Sequence, residues 1–413
     1  MSLKEQLRAY ARLLVRTGCA LKPGQELQLT APVEAAPFAR MVVEEAWAAG
    51  AGDVTVEWAD QYTGRLRYLH APMSAFETVP QWKRALLNDA AQRGAAFLFL
   101  EGDDPDGMAG IDPARFTAWA RASHRDCKAF YDGMDLGRNI WCIAGVATPA
   151  WAKKVFPGAS GEEAVEKLWA AILSTARADG PDPAREWAEH SAAFQRRIRL
   201  LNELAFDALR YTDPNGTDLT VGMNPGHIWA GGGAATVDGT WYFPNMPTEE
   251  IFTSPHRDRA EGVVYSSLPL NYQGGMIEDF WLRFEQGRVV DCGAREGLDR
   301  LKSILDTDEG GRRLGEVALV PHASPIAQSG ILFYSTLYDE NAACHLALGK
   351  GFPECVEGGL EMDEKALAEH HINSSATHVD FMIGTKTLSI TGIAADGTQT
   401  PIFREGNWVG AFA

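Results

Sequence analysis

Apolar residues fall at helical spacing from the start of the chain: Leu3, Leu7, Tyr10, Ala11, Leu14 and Val15 mark one face of a helix over 3–17. Leu21-Lys-Pro-Gly then turns the chain, and Glu26 to Thr30 alternates as a short strand. A second helix is expected from Val33 to Ala49, followed by a strand at Asp53 to Trp58. A helix over 81–92 leads to the apolar strand Ala95-Ala-Phe-Leu-Phe-Leu100, and another helix runs through 113–125. Strand and helix in alternation predict a mostly parallel sheet covered by helices.

Helical spacing returns from Ala159 to Asp179, where Asp179-Gly-Pro-Asp-Pro183 breaks it. A long helix then runs to Asn202, and after it the texture changes. Short alternating segments (Asp218-Leu-Thr-Val-Gly, Gly262-Val-Val-Tyr, Trp281-Leu-Arg-Phe, Arg288-Val-Val-Asp) are separated by Gly, Asn and Pro turns, as an antiparallel sheet requires. The expected organisation is therefore an α/β N-terminal domain over 1–185 with a mostly parallel sheet, and an α+β, strand-rich C-terminal domain over 186–413. Gly50-Ala51-Gly52 follows a helix and precedes a strand. A dinucleotide loop needs the opposite order, so these glycines read as a helix C-cap. Ala230-Gly-Gly-Gly-Ala with Thr236-Val-Asp-Gly-Thr240 reads as a loop and hairpin turn, and the acceptor-like triplets at Asn215 and Asn373 read as chance.

At 413 residues, 46% hydrophobic and 23% charged, the chain is globular and long enough for two domains or three. A net charge of −17 excludes nucleic acid as the main partner, since phosphate binding needs a basic face. Six cysteines lie scattered without a CxxC pair, which fits reduced thiols. The first ten residues have no apolar signal core, and no segment reaches the ~18 apolar residues of a membrane span. A cytoplasmic protein with no membrane association is the expectation.

Carboxylates and imidazoles gather in the second half. His378 and Asp380 stand two apart in an apolar strand, so alternation aims both side chains at one face. Tyr338-Asp-Glu-Asn-Ala-Ala-Cys-His345 places Glu340 and His345 at the start of a helix, after the strand-like run Ile331 to Tyr334. Five apart, they differ by about 140° around an ideal helix and reach one centre only from its first turn. A capping carboxylate and a core histidine explain them equally well. Glu250, after Pro247-Thr-Glu, can likewise be a helix-start acid, and Glu316 opens the strand Val317 to Val320. Together, Glu250, Glu316, Glu340 and Asp380 supply four negative charges beside neutral His345 and His378, the balance that two divalent cations would neutralise. His256, His322, His370 and His371 have no spacing that groups them, and His370-His371 reads as a helix surface.

These motifs carry a resemblance. Asn215-Gly-Thr-Asp-Leu, Asn245-Met-Pro-Thr-Glu-Glu250, Gly330-Ile-Leu-Phe-Tyr, Tyr338 to Gly349 and His378-Val-Asp-Phe-Met-Ile-Gly384, in this order, resemble the M29 family of metalloaminopeptidases over essentially the whole chain. The resemblance implies Glu250, Glu316, Glu340, His345, His378 and Asp380 as ligands of a cocatalytic metal pair, zinc or cobalt, bridged by Glu316. It also implies release of N-terminal residues from peptides with a free N-terminus, a homodimer, and a site within the C-terminal domain. The family pattern has a tyrosine after Ala-Leu-Gly-x-x where this chain has Phe352. A tyrosine hydroxyl there would be expected to stabilise the oxyanion, so a metal-binding but catalytically impaired homologue, acting as a dimeric binding or scaffold protein, stands as the alternative.

Overall fold

Ser2 starts the chain's first helix, Leu3–Leu13. Its side chain accepts the Glu5 backbone N–H while the Glu5 carboxylate accepts the Ser2 N–H, a reciprocal capping box. The computed structural model describes residues 1–272 and 275–413, which form two compact units. The first unit comprises Met1–His190 with Gly233–Thr248 and Leu332–Leu337. The second comprises Ser191–Gly232, Glu249–Ile331 and Tyr338–Ala413, within those described residues.

The first unit is the α/β region. Its sheet runs in the order Asp53–Ala59, Glu26–Pro32, Ala96–Glu101, Trp141–Gly145, Asn245–Met246, and every neighbouring pair is parallel. Parallel strands need crossovers, and helices such as Ala36–Ala48 and Gln81–Gln92 supply them. Gly50 has φ +91° just past the helix Ala36–Ala48, the left-handed position that ends a helix. The hairpin expected around Thr236–Thr240 forms, pairing Ala234–Ala235 with Trp241–Tyr242.

The second unit is strand-rich, as the alternating segments predict. An eight-stranded sheet runs from Arg288–Gly293 through Trp281–Glu285, Pro255–Tyr265, Asp218–Met223, Ala208–Thr212, Ser389–Ile393 and Gln399–Arg404 to Asn407–Trp408. A five-stranded sheet has the order His378–Met382, His345–Gly349, Leu314–Leu319, Ile251–Thr253, Ala230–Gly231, with every pair antiparallel. One face of this smaller sheet is apolar. Ile251, Val317, Leu319, Leu346, Leu348, Val379 and Phe381 all enter the unit's main core. Among the described residues, no helix is long and apolar enough to cross a membrane.

Four local expectations need correction. The helix expected to carry Glu340 and His345 is a single turn at Thr336–Asp339 continued by the 3-10 turn Glu340–Ala342. Ala343 then turns extended, and His345 opens a strand because Leu346 and Leu348 alternate into the core. The run Ile331 to Tyr334 is no strand. Gly330 and Tyr334 have φ of 64° and 57°, and Phe333 is buried, with its carbonyl accepting the Trp151 indole N–H at 2.6 Å. Glu316 does not open its strand; it is the third residue of Leu314–Leu319, buried throughout. Glu250 caps no helix and instead leads directly into the strand Ile251–Thr253.

Candidate metal centre

Strand register builds the site on the face opposite the core. Glu316 and Asp380 both pair with Ala347, one from each side, so the three form a row across the sheet. In the next row Phe252, Ala318, His345 and Met382 are aligned. Period-two alternation carries His378, two residues from Asp380, and Glu250, two residues from Phe252, to the same face. The alanines at 318 and 347 leave that face open between the functional side chains. All the sequence-predicted ligands lie in the second unit, and four strands bring five of them together.

The five form two donor groups that share Glu316. Glu250, Glu316 and His345 make one, and Glu316, His378 and Asp380 the other; within each, one donor atom per residue lies within 4.8 Å of the others. His345 Nε2 is 3.3 Å from Glu250 Oε2. His378 Nε2 is 3.2 Å from Glu316 Oε2 and 3.1 Å from Asp380 Oδ1. Glu340 belongs to neither group, but it is half-buried and feels the charges of Glu250, Asp380 and Glu316.

Each histidine is oriented from behind. His345 Nδ1 lies 3.1 Å from the Ala343 carbonyl and His378 Nδ1 lies 2.7 Å from the Lys350 carbonyl. A carbonyl only accepts, so both Nδ1 atoms carry protons, and a neutral ring then presents its Nε2 lone pair. Those lone pairs face carboxylate oxygens at little over 3 Å, which is unfavourable unless a cation lies between. This backbone-oriented imidazole beside carboxylates is the donor set and supporting shell of a borderline divalent metal. The residues fit such an ion.

Without a metal, protons play the cation's part. Burial alone would lower the His345 pKa, but the Glu250 carboxylate, with Glu316 and Asp380, pushes it up to about 10. Burial likewise opposes, and Asp380 and Glu316 overcome it, to raise His378 to about 11. Burial, only partly offset by His378, raises Glu316 to about 7. Glu340 is pushed well above the usual carboxylate range, by burial first and then by Glu250 and Asp380. Asp380 moves down, because His378 and His345 outweigh its burial. Perturbed groups gathered on one face mark a functional site.

Phe352 lies beside this cluster. Its ring centre is 4.9 Å from that of His378 and meets Phe252 edge-on at 5.5 Å. Its backbone N–H donates to Ser254 Oγ at 2.7 Å. Sequence reasoning missed Ser254, Phe252 and Asn341. The fully buried Asn341 accepts the Glu249 N–H on Oδ1 at 2.6 Å, which ties the Glu250 segment to the turn bearing Glu340. No spacing signal pointed to Asn341, whereas the parity of Phe252 with Glu250 was readable once that segment is a strand.

Comparison with known proteins agrees with the motifs. The model of the thermophilic metalloprotease family M29 matches residues 3–408. Aminopeptidase 2 of Geobacillus stearothermophilus is 43% identical over 405 residues, covering 98% of each chain. Aminopeptidase T of Thermus aquaticus is 42% identical, also over 98% of each. The solved structure of wild-type AmpT from Thermus thermophilus superposes with a TM-score of 0.91 at 41% identity, covering 99% of this chain and 100% of that one. A single family accounts for the match along the whole length, and this chain belongs to it: the M29 thermophilic metalloproteases.

Proposed function

We propose that the protein is a metal-dependent aminopeptidase that releases N-terminal residues from peptides with a free N-terminus, using two divalent ions, zinc or cobalt. The observation that carries this reading is Glu316, shared between two donor groups that each contain one histidine and a further carboxylate. Glu250 and His345 would hold one ion and His378 and Asp380 the other, with Glu316 bridging and Glu340 completing the set. When bound, such a pair supplies Lewis acidity toward a carbonyl and lowers the pKa of water toward neutrality.

The chain's own residues set up that chemistry. The Ala343 and Lys350 carbonyls hold both imidazoles in the ligand tautomer. Burial of Glu316 and His345 keeps bulk water away from the reacting groups, and a carboxylate of the site takes the proton given up by the attacking water. The Phe352 ring lies against His378, with the Phe252 ring packed on Phe352, and supplies no hydroxyl there. The named relatives are aminopeptidases, which supports turnover over the impaired-homologue alternative. A cytoplasmic homodimer is part of the same reading, and light scattering tests its oligomeric state.

The test is hydrolysis of aminoacyl-fluorophore substrates by chelator-stripped protein, with zinc, cobalt or manganese returned. Metal-restored cleavage of free-amine substrates and none of their acetylated forms is the expected result. Equal cleavage of both forms, or no cleavage with any metal, would overturn the reading.

A further inference from the structure

In the sequence Asn373 only begins an acceptor-like triplet, yet in the second unit it is 3% exposed and stands five residues before His378. Its amide nitrogen has two hydrogens, and both are used. Nδ2 donates to the Gly349 carbonyl at 2.6 Å and to the Gly310 carbonyl at 2.8 Å. The Asn373 backbone carbonyl accepts the Gly351 N–H at 2.9 Å. Asn373 therefore grips the turn after the strand His345–Gly349 on both sides of Lys350.

That grip sets the peptide plane between Lys350 and Gly351. A trans peptide, as this one is, points its C=O and its N–H in opposite directions within one plane. With the Gly351 N–H fixed on the Asn373 carbonyl, the Lys350 carbonyl is left one direction, and there it meets His378 Nδ1 at 2.7 Å. The preceding plane is fixed at both ends as well. Its C=O, from Gly349, accepts Asn373 Nδ2, and its N–H, from Lys350, donates to the Thr377 carbonyl at 2.7 Å. Gly349 has φ +106°, and a Cβ there would lie 2.1 Å from the Thr377 carbonyl oxygen, so only glycine lets the turn come this close. Asp308 anchors the segment between Asn373 and His378. Its carboxylate accepts Ser375 Oγ–H at 2.7 Å and the Ala376 N–H at 2.6 Å.

We propose that Asn373 is a positioning residue of the metal centre, an assignment that rests on the two-ion function proposed above. By holding the Lys350–Gly351 peptide it aims the Lys350 carbonyl at His378 Nδ1, and so fixes the direction in which His378 Nε2 points. Asn373 acts through Lys350 and is not itself a ligand. His345 is oriented separately, from the Ala343 carbonyl. Loss of the Asn373 amide therefore disturbs one half of the donor set and spares the other.

Two variants of the full chain test this: Asn373→Ala removes the amide, and Asn373→Leu removes it while keeping most of the volume. The first readout needs no metal. In protein carrying isotope-labelled histidine, His378 Nδ1–H should give a ring N–H resonance protected from solvent exchange, assigned by its absence from His378→Gln. That resonance should broaden or vanish in both variants while the His345 ring resonance stays. The second readout is zinc affinity by chelator competition, where one ion should bind at least ~10-fold more weakly and the other as in wild type. Circular dichroism shows which variant has folded, and either folded variant suffices. An unchanged His378 resonance in a folded variant overturns the assignment, and so does equal weakening of both ions, which a merely structural role would give. A wild type without a protected His378 resonance overturns it with no variant needed. A wild type that shows the resonance but binds no zinc overturns the two-ion function instead, and the resonance still decides whether Asn373 orients His378.

Discussion

Glu316 and Asp380 stand on either side of Ala347 in the five-stranded sheet, each in register with it, so one small residue separates a buried carboxylate from a half-buried one. Everything proposed for the site depends on that gap being kept open. Ala347→Leu should fill it. Overpacking of this kind costs about 1–3 kcal/mol of stability, and the larger effect should be on metal uptake. A variant that melts a few degrees lower yet takes up zinc and turns over like wild type would show that the gap is not needed.

Glu316 serves both donor groups, so its loss should disable both. Glu316→Gln keeps the shape and one oxygen but removes the charge. Hydrolysis should fall by more than the ~10–100-fold that loss of a supporting outer partner costs. Steady-state rates at saturating metal check this, and a drop of under tenfold would remove Glu316 from its shared position.

Asn341 is the unnoticed strut. Asn341→Leu leaves the buried Glu249 N–H without its acceptor, at a cost of about 1–3 kcal/mol in unfolding free energy. Urea titration should register that loss, together with weaker metal binding through the displaced Glu250. Unchanged stability would mean that the Glu249 N–H finds another acceptor.

The fold was legible where one local pattern decides it. The N-terminal alternation of helix and strand follows directly from spacing, and His378 and Asp380 share a face as alternation requires. His345 was misread because Asp-Glu-Asn-Ala resembles a helix start. Yet His345-Leu-Ala-Leu-Gly alternates too, and packing of Leu346 and Leu348 in the core settles it as strand. Cross-strand register is not written in any one segment, so the Glu316–Ala347–Asp380 row could not be seen in advance.

Protonation and metal compete for the same atoms, which fixes a pH dependence. In metal-free protein His345 and His378 hold protons up to about 10 and about 11, against ~6.5 in the unfolded chain. The stability they contribute is complete below ~6.5 and is lost as pH rises through the folded values. Glu316, raised to about 7, acts in the same direction, its contribution present at acid pH and lost by neutrality. Bound metal replaces those protons, so the increase in Tm on adding zinc should widen between about pH 6 and about pH 8. A constant increase across that range would contradict the competition.

Phe352→Tyr adds a hydroxyl to a ring already 4.9 Å from His378. If the missing donor limits turnover, kcat should rise, by up to roughly 10²–10³-fold for one oxyanion donor. No change would mean that another group already fills that role.

Anomalous diffraction at the zinc edge from zinc-loaded crystals tests the central claim most directly. The account predicts two peaks roughly 3.5–4 Å apart, one beside Glu250 and His345, the other beside His378 and Asp380, with Glu316 between them. A single peak, or none touching Glu316, would contradict it.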